Sequence, residues 1–322
     1  MLLLVLCRSC GKIGAMTESW LHVADVLAQS TPTPSPTTSA ELHRVLAQGR
    51  ADDQIDFVLI YVCIAGGLAF LWYFFRGWSA RGNSFARRWV LKLAPYVAAG
   101  AAWVRSAPAT FVYMACWTAT TILIQGTPQD LVEILTRFNS TNIFGILVDP
   151  VRVLVSSALL VADSGAGFLG YVLVYVLIVA RLEHRLGSAR VIMVWIASHV
   201  LGSLATVLTE VILIKMHYAE HRLAVTADVG VSYVMVGSMG AYLFLVSKPW
   251  RWWYYAAVFA GVGLPVIFVG DLWSFGHLNA TLLGIVAFLV VRRFAPLRER
   301  LDFSDYVADA RENPSFVVTR LQ

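Results

Sequence analysis

Charge is what this sequence has least of. Asp, Glu, Lys and Arg make up 14% of its 322 residues, whereas 58% are apolar. Soluble domains carry about 25% charged and about 45–50% apolar residues, so a mean hydropathy of +0.67 excludes an ordinary soluble fold. Cysteine is scarce too, with four in the chain. Cys7 and Cys10 form a lone Cys-x-x-Cys, without the second pair that a zinc site needs. Cys63 and Cys116 lie in apolar runs, where cysteine serves as a small apolar residue. No structural disulfide, metal or cofactor is expected. A cleavable leader is not legible, because the apolar run 2–6 is short and lacks a preceding basic region. Leu6 is too bulky to precede a lipoprotein cysteine at Cys7, and Met16 is an alternative start. Nor is there an internal repeat of the kind that marks many secondary transporters.

What the chain does have is seven stretches free of Asp, Glu, Lys and Arg: 57–75, 106–129, 164–180, 191–209, 229–247, 252–270 and 272–291. A membrane-crossing helix takes about 17–25 mostly apolar residues, so an all-α polytopic membrane protein with seven spans is expected. The apolar windows 93–104 and 153–162 are too short to cross. Residues 30–40, rich in Pro, Ser and Thr, read as an extended linker.

The net charge of +5 does not point to nucleic acid, because the cations are distributed by side. With 76–105 placed inside and the spans alternating, the inside segments hold 17 Lys and Arg and the outside loops four. That asymmetry is the positive-inside signature. It predicts a multi-pass protein of the plasma membrane with its N-terminus outside and its C-terminus in the cytoplasm. Trp250, Trp252, Trp253, Tyr254 and Tyr255 fit an aromatic belt at the inner interface.

Ionisable and polar groups inside the apolar windows are functional candidates by default. His199, Ser203, Thr206 and Glu210 fall within about 60° of arc on one helix face at about 100° per residue. They make either a hydrogen-bonded seam between helices or a contribution to a site. Ser232 lies four residues beyond Asp228, and His277 six beyond Asp271. Both helices run from outside to inside in this topology, so the two side chains sit within about 3 Å of the same depth. A serine beside a histidine is a nucleophile beside the base it needs. Gly276, Ala280 and Gly284 on one helix, and Gly237, Gly240 and Ala241 on the other, allow close backbone approach.

These residues resemble the rhomboid family of intramembrane serine proteases. Glu183-His184-Arg185-Leu186-Gly187-Ser188 is similar to the family's Glu-x-x-x-Gly-Ser turn between the second and third core helices. Gly230-Val231-Ser232-Tyr233 resembles its Gly-x-Ser-Gly nucleophile motif, with Gly240 following, and Gly276-His277 through Gly284 resembles its sixth helix. The resemblance covers about 106–294. It implies a six-helix rhomboid-like core with one extra N-terminal transmembrane helix, and Ser232 as nucleophile, His277 as base and the Ser232 N–H as an oxyanion donor. The implied organisation is an extension and linker over 1–54, the extra helix over 55–75, a basic connector over 76–105, the core over 106–294 and a cytoplasmic tail over 295–322. The implied partners are the lipid bilayer and the transmembrane segment of a client protein.

Two departures from the family pattern stand out. Its usual His and Asn on the second core helix fall near Gly167 and Tyr171, and no His or Asn occurs between 143 and 183. Tyr233 replaces the glycine after the nucleophile. Tyr171 or Tyr233 would then supply the missing hydrogen bond, with Gly230, His199 and Glu210 as further supporting candidates. The expected activity is a serine-type intramembrane endopeptidase. The alternative is a catalytically inactive rhomboid-like protein that binds membrane clients.

Overall fold

The computed structural model describes residues 57–312, except 126, 128 and 162–165. The chain divides into two units, Met1–Asp53 and Gln54–Gln322, and the described residues belong to the second. Cys7, Cys10, Met16 and the 30–40 linker lie outside the described residues.

Among the described residues all regular structure is helical. Helix α1 (Phe57–Ala80) is apolar nearly all round and almost wholly exposed, with Leu68, Phe70 and Tyr73 each more than 60% accessible. Such a surface is stable against lipid and not against water. Helix α2 (Ser84–Ser106) is capped by Asn83, whose side chain accepts from the Ala86 N–H at 2.9 Å. The basic 76–105 segment, expected as a connector, is therefore mostly a helix. Helix α3 (Pro108–Gln125) follows after a bend of 91°. Proline suits its first position because that N–H has no intrahelical acceptor.

Between α3 and the next long helix lie three short ones: α4 (Gln129–Phe138), α5 (Ile143–Val148) and α6 (Pro150–Ser157). Helix α7 runs through Ala166–Val174, a wider π turn at Tyr175–Val179, and Ala180–Leu186. Helix α8 has the same build, Ser188–Ile196, a π turn at Ala197–Leu201, then Gly202–Lys215. Helix α9 (Val231–Tyr242) is followed by α10, which passes from Lys248–Val258 through a π turn at Phe259–Gly263 to Leu264–Phe268. Helix α11 (Leu272–Val291) and α12 (Phe303–Glu312) complete the described chain.

Four helices are long and apolar enough to cross a membrane: Val58–Ala80, Gly167–Leu186, Ser188–Lys215 and Leu272–Val291; the bent α2–α3 pair makes up to five. The seven charge-free windows thus outnumber the helices that, among the described residues, are long and apolar enough to cross on their own. The window 229–247 yields only the 12 residues of α9, and 252–270 falls in α10, whose first turn carries Lys248 and Arg251 and which ends at Phe268. Helix α9 needs no lipid-facing length of its own, since nine of its residues are buried in protein.

The Glu183-x-x-x-Gly187-Ser188 turn has a physical role. The fully buried Glu183 carboxylate accepts from the N–H groups of Ala109 and Thr110 (2.9 and 2.7 Å), from Thr110 Oγ1 (2.7 Å) and from Ser188 Oγ (2.6 Å). It caps the N-terminus of α3, where unpaired N–H groups and the helix dipole both favour an anion. Gly187 permits the turn by adopting φ +84°. Of the aromatic belt, Trp250, Trp252 and Trp253 face outward, whereas the Tyr254 and Tyr255 hydroxyls turn inward to Met239 O and Leu243 O (2.8 and 3.2 Å).

Candidate active site

Helices α9 and α11 cross in direct backbone contact. A Cβ on Gly284 would stand 2.1 Å from Gly237 O, and one on Gly240 would stand 2.6 Å from Thr281 O. Only glycine fits at such a crossing. The small residues that suggested contact in the sequence are the ones that meet.

Ser232 occupies the first turn of α9, and His277 the second turn of α11. Ser232 is 6% exposed, and its Oγ donates to Val229 O at 3.3 Å. No hydrogen bond joins it to the His277 ring among the described residues. What stands against His277 is Tyr233, their ring centroids 5.7 Å apart and inclined at 63°. The Tyr233 ring also meets His199 edge-on at 6.3 Å.

Tyr233 is fully buried in a slot made by two glycines. A Cβ on Gly202 would lie 3.0 Å from its Cδ1, and one on Gly276 would lie 2.0 Å from its Oη. The bulk expected beside the nucleophile is thus accommodated by α8 and α11. The hydroxyl lies 2.9 Å from Asp228 Oδ2 and 3.1 Å from Thr206 Oγ1. Thr206 spends its own proton on Gly202 O (2.9 Å) and can only accept from Tyr233, so the single phenol proton is shared between Thr206 and the nearer Asp228. Thr141 Oγ1 holds the same Asp228 oxygen at 3.1 Å. Asp228 precedes α9, outside the spanning helices; burial pushes its carboxyl up to about 6, against the hydrogen bonds from Tyr233 and Thr141.

His199 is 4% exposed, and its Nε2 lies 2.8 Å from Leu154 O and 3.4 Å from Ser157 Oγ. A carbonyl partner makes Nε2 the protonated nitrogen, which leaves Nδ1 an acceptor without a partner. The ring packs on Gly230, where a Cβ would lie 2.1 Å from Cε1. Gly230 N in turn donates to Ser157 O at 2.8 Å. His199 and Gly230 therefore fasten the start of α9 to α6. Glu210 is wholly buried, and both its carboxylate oxygens lack a hydrogen-bond partner.

Tyr171 packs at the edge of the apolar core. One turn later the fully buried Tyr175 donates to Val231 O at 3.0 Å. Sequence reasoning missed Tyr175, because a tyrosine in an apolar run looks like any core aromatic. The π turn that begins at this residue leaves no mark on the hydropathy pattern. Gly230, the N-cap of α9, has no side chain to occupy the first-turn N–H groups, so that of Ser232 can meet an outside acceptor.

The fold defines a multi-pass, all-helical membrane protein with a polar cluster built around the start of one buried helix. The family model described as rhomboid-like protein matches residues 102–296, and the chain belongs to that family. No curated protein and no solved structure matches it.

Proposed function

We propose that the protein is a rhomboid-like intramembrane serine endopeptidase, with Ser232 as nucleophile and His277 as general base. The observation that carries this reading is the glycine crossing of α9 and α11, which sets a serine and a histidine at the same end of two touching helices. In the reaction Ser232 Oγ attacks the scissile carbonyl of a client's transmembrane segment while its proton passes to His277. The tetrahedral oxyanion accepts from the Ser232 N–H, and His277 then protonates the leaving amine. Water, activated by His277, hydrolyses the acyl-enzyme. Ser232 Oγ must first leave Val229 O and turn toward the His277 ring. Preorganised donors contribute about 10²–10³ in rate each, so a site without the family's usual His and Asn turns over slowly.

One observation favours a second reading, client binding without cleavage: Tyr233, not Ser232, is the side chain that packs against His277. A fluorophosphonate probe separates the two. The endopeptidase is labelled at Ser232, and labelling is lost in Ser232→Ala and reduced in His277→Ala. Equal labelling of wild type and Ser232→Ala overturns the assignment of Ser232, and a folded wild type that takes no label supports client binding.

A further inference from the structure

We propose that an arginine-lined crevice at the far end of α9 binds the phosphate group of an anionic lipid. Tyr242 lines it, ten residues beyond Ser232, which places it about 15 Å along the helix from the candidate active site. Arg181, His184, Arg185, Arg300 and Asp302 form its polar walls.

Backbone pairing brings a further arginine to the edge of the crevice. Arg298 N donates to Arg185 O at 2.9 Å, which joins the two main chains there. The Arg298 guanidinium lies over Gly187, its Nη2 3.0 Å from where a Cβ would be. Neither side chain has a hydrogen bond or ion pair among the described residues, and Arg185 Nε is buried without a partner. Two of the acids nearby are already engaged, and Glu299 is exposed to solvent. Asp302 is divided between Arg181 (3.8 Å) and Arg300 (2.9 Å), and Glu183 is spent on the start of α3.

The unused guanidinium of Arg185 in the crevice, with that of Arg298 over the adjoining Gly187, offers planar donors that match a phosphate group. Leu245 and Leu301 line the same crevice and give an apolar shoulder for the rest of a lipid, which a free phosphate would not use. The Lys and Arg distribution predicts that this end faces the cytoplasm, where anionic lipids attract basic pockets between helices.

The test is the melting temperature of the full-length protein in nanodiscs. Phosphatidylglycerol mixed into phosphatidylcholine should raise it, and Arg185→Gln/Arg298→Gln should abolish the rise. Arg293→Gln, an exposed arginine just past α11, should keep it. Inorganic phosphate added to pure phosphatidylcholine discs identifies the source: no rise there assigns the site to lipid, and a rise that the double variant loses assigns the same arginines to a soluble phosphate compound. A rise that persists in the double variant overturns the proposal, as does no rise with either probe.

Discussion

Tyr233 fills its slot between Gly202 and Gly276 and holds Asp228 through its hydroxyl. Tyr233→Phe leaves Asp228 with Thr141 as its side-chain partner and should cost about 1–3 kcal/mol, read as a lower melting temperature in detergent. Gly276→Ala drives a methyl into the Tyr233 hydroxyl and should destabilise more. The double variant should recover part of that loss, since Phe removes the atom struck first; strictly additive losses would show that the two residues do not share the slot. Asp228 gives a pH dependence of definite sign. Its carboxyl rises from 3.8 to about 6 on folding, so between those values the folded state binds more protons than the unfolded one. Its contribution to stability therefore falls as pH rises from about 4 to about 6. Asp228→Asn should flatten that part of the melting-temperature profile, and an unchanged slope would assign it to other groups. At this scale Ser232 and His277 drew notice as polar groups in apolar windows, and Glu210 as the charge that ends one. Gly202 and Tyr175 were not, since their roles come from partners on other helices.

At the scale of the helices, the small residues on both segments permitted a close crossing of α9 and α11 without requiring it, and the structure has one. Gly284→Ala sets a Cβ 2.1 Å from a backbone carbonyl, Gly237 O, and no rotamer change can relieve that clash. It should cost several kcal/mol or prevent folding. Gly261→Ala, with nothing within 4 Å of its Cβ, should leave the melting temperature nearly unchanged. Comparable damage at both positions would mean that general helix flexibility, not the crossing, sets the response. Helix lengths were much less legible. A charge-free window reports composition and cannot register a π turn or the ends of a helix enclosed by protein. That is why 229–247 shrinks to the 12 residues of α9. The Glu183 cap was visible only as a family turn; its partner, the start of α3, lies 73 residues earlier.

For the whole molecule, the distribution of Lys and Arg predicts which face meets which compartment. With the native cysteines replaced, an impermeant thiol reagent applied to intact cells should label Tyr218→Cys and not Glu312→Cys, and the reverse pattern would invert the topology. The inner face by this reading is sealed by segments far apart in the chain. Arg190 donates to the carbonyls of Ala295 and Pro296, more than a hundred residues later. Helix α12 packs Ala310 toward Ala94 of α2, and Arg311 donates to Tyr96 Oη at 2.9 Å. Chain order gives this arrangement a meaning in time. A nascent protein can thread every spanning helix into the bilayer before α12 has left the ribosome, because α12 follows α11 in the chain. The contacts of α12 with α2 should therefore form after insertion, and synthesis stalled before residue 303 should leave a protein in the membrane without them.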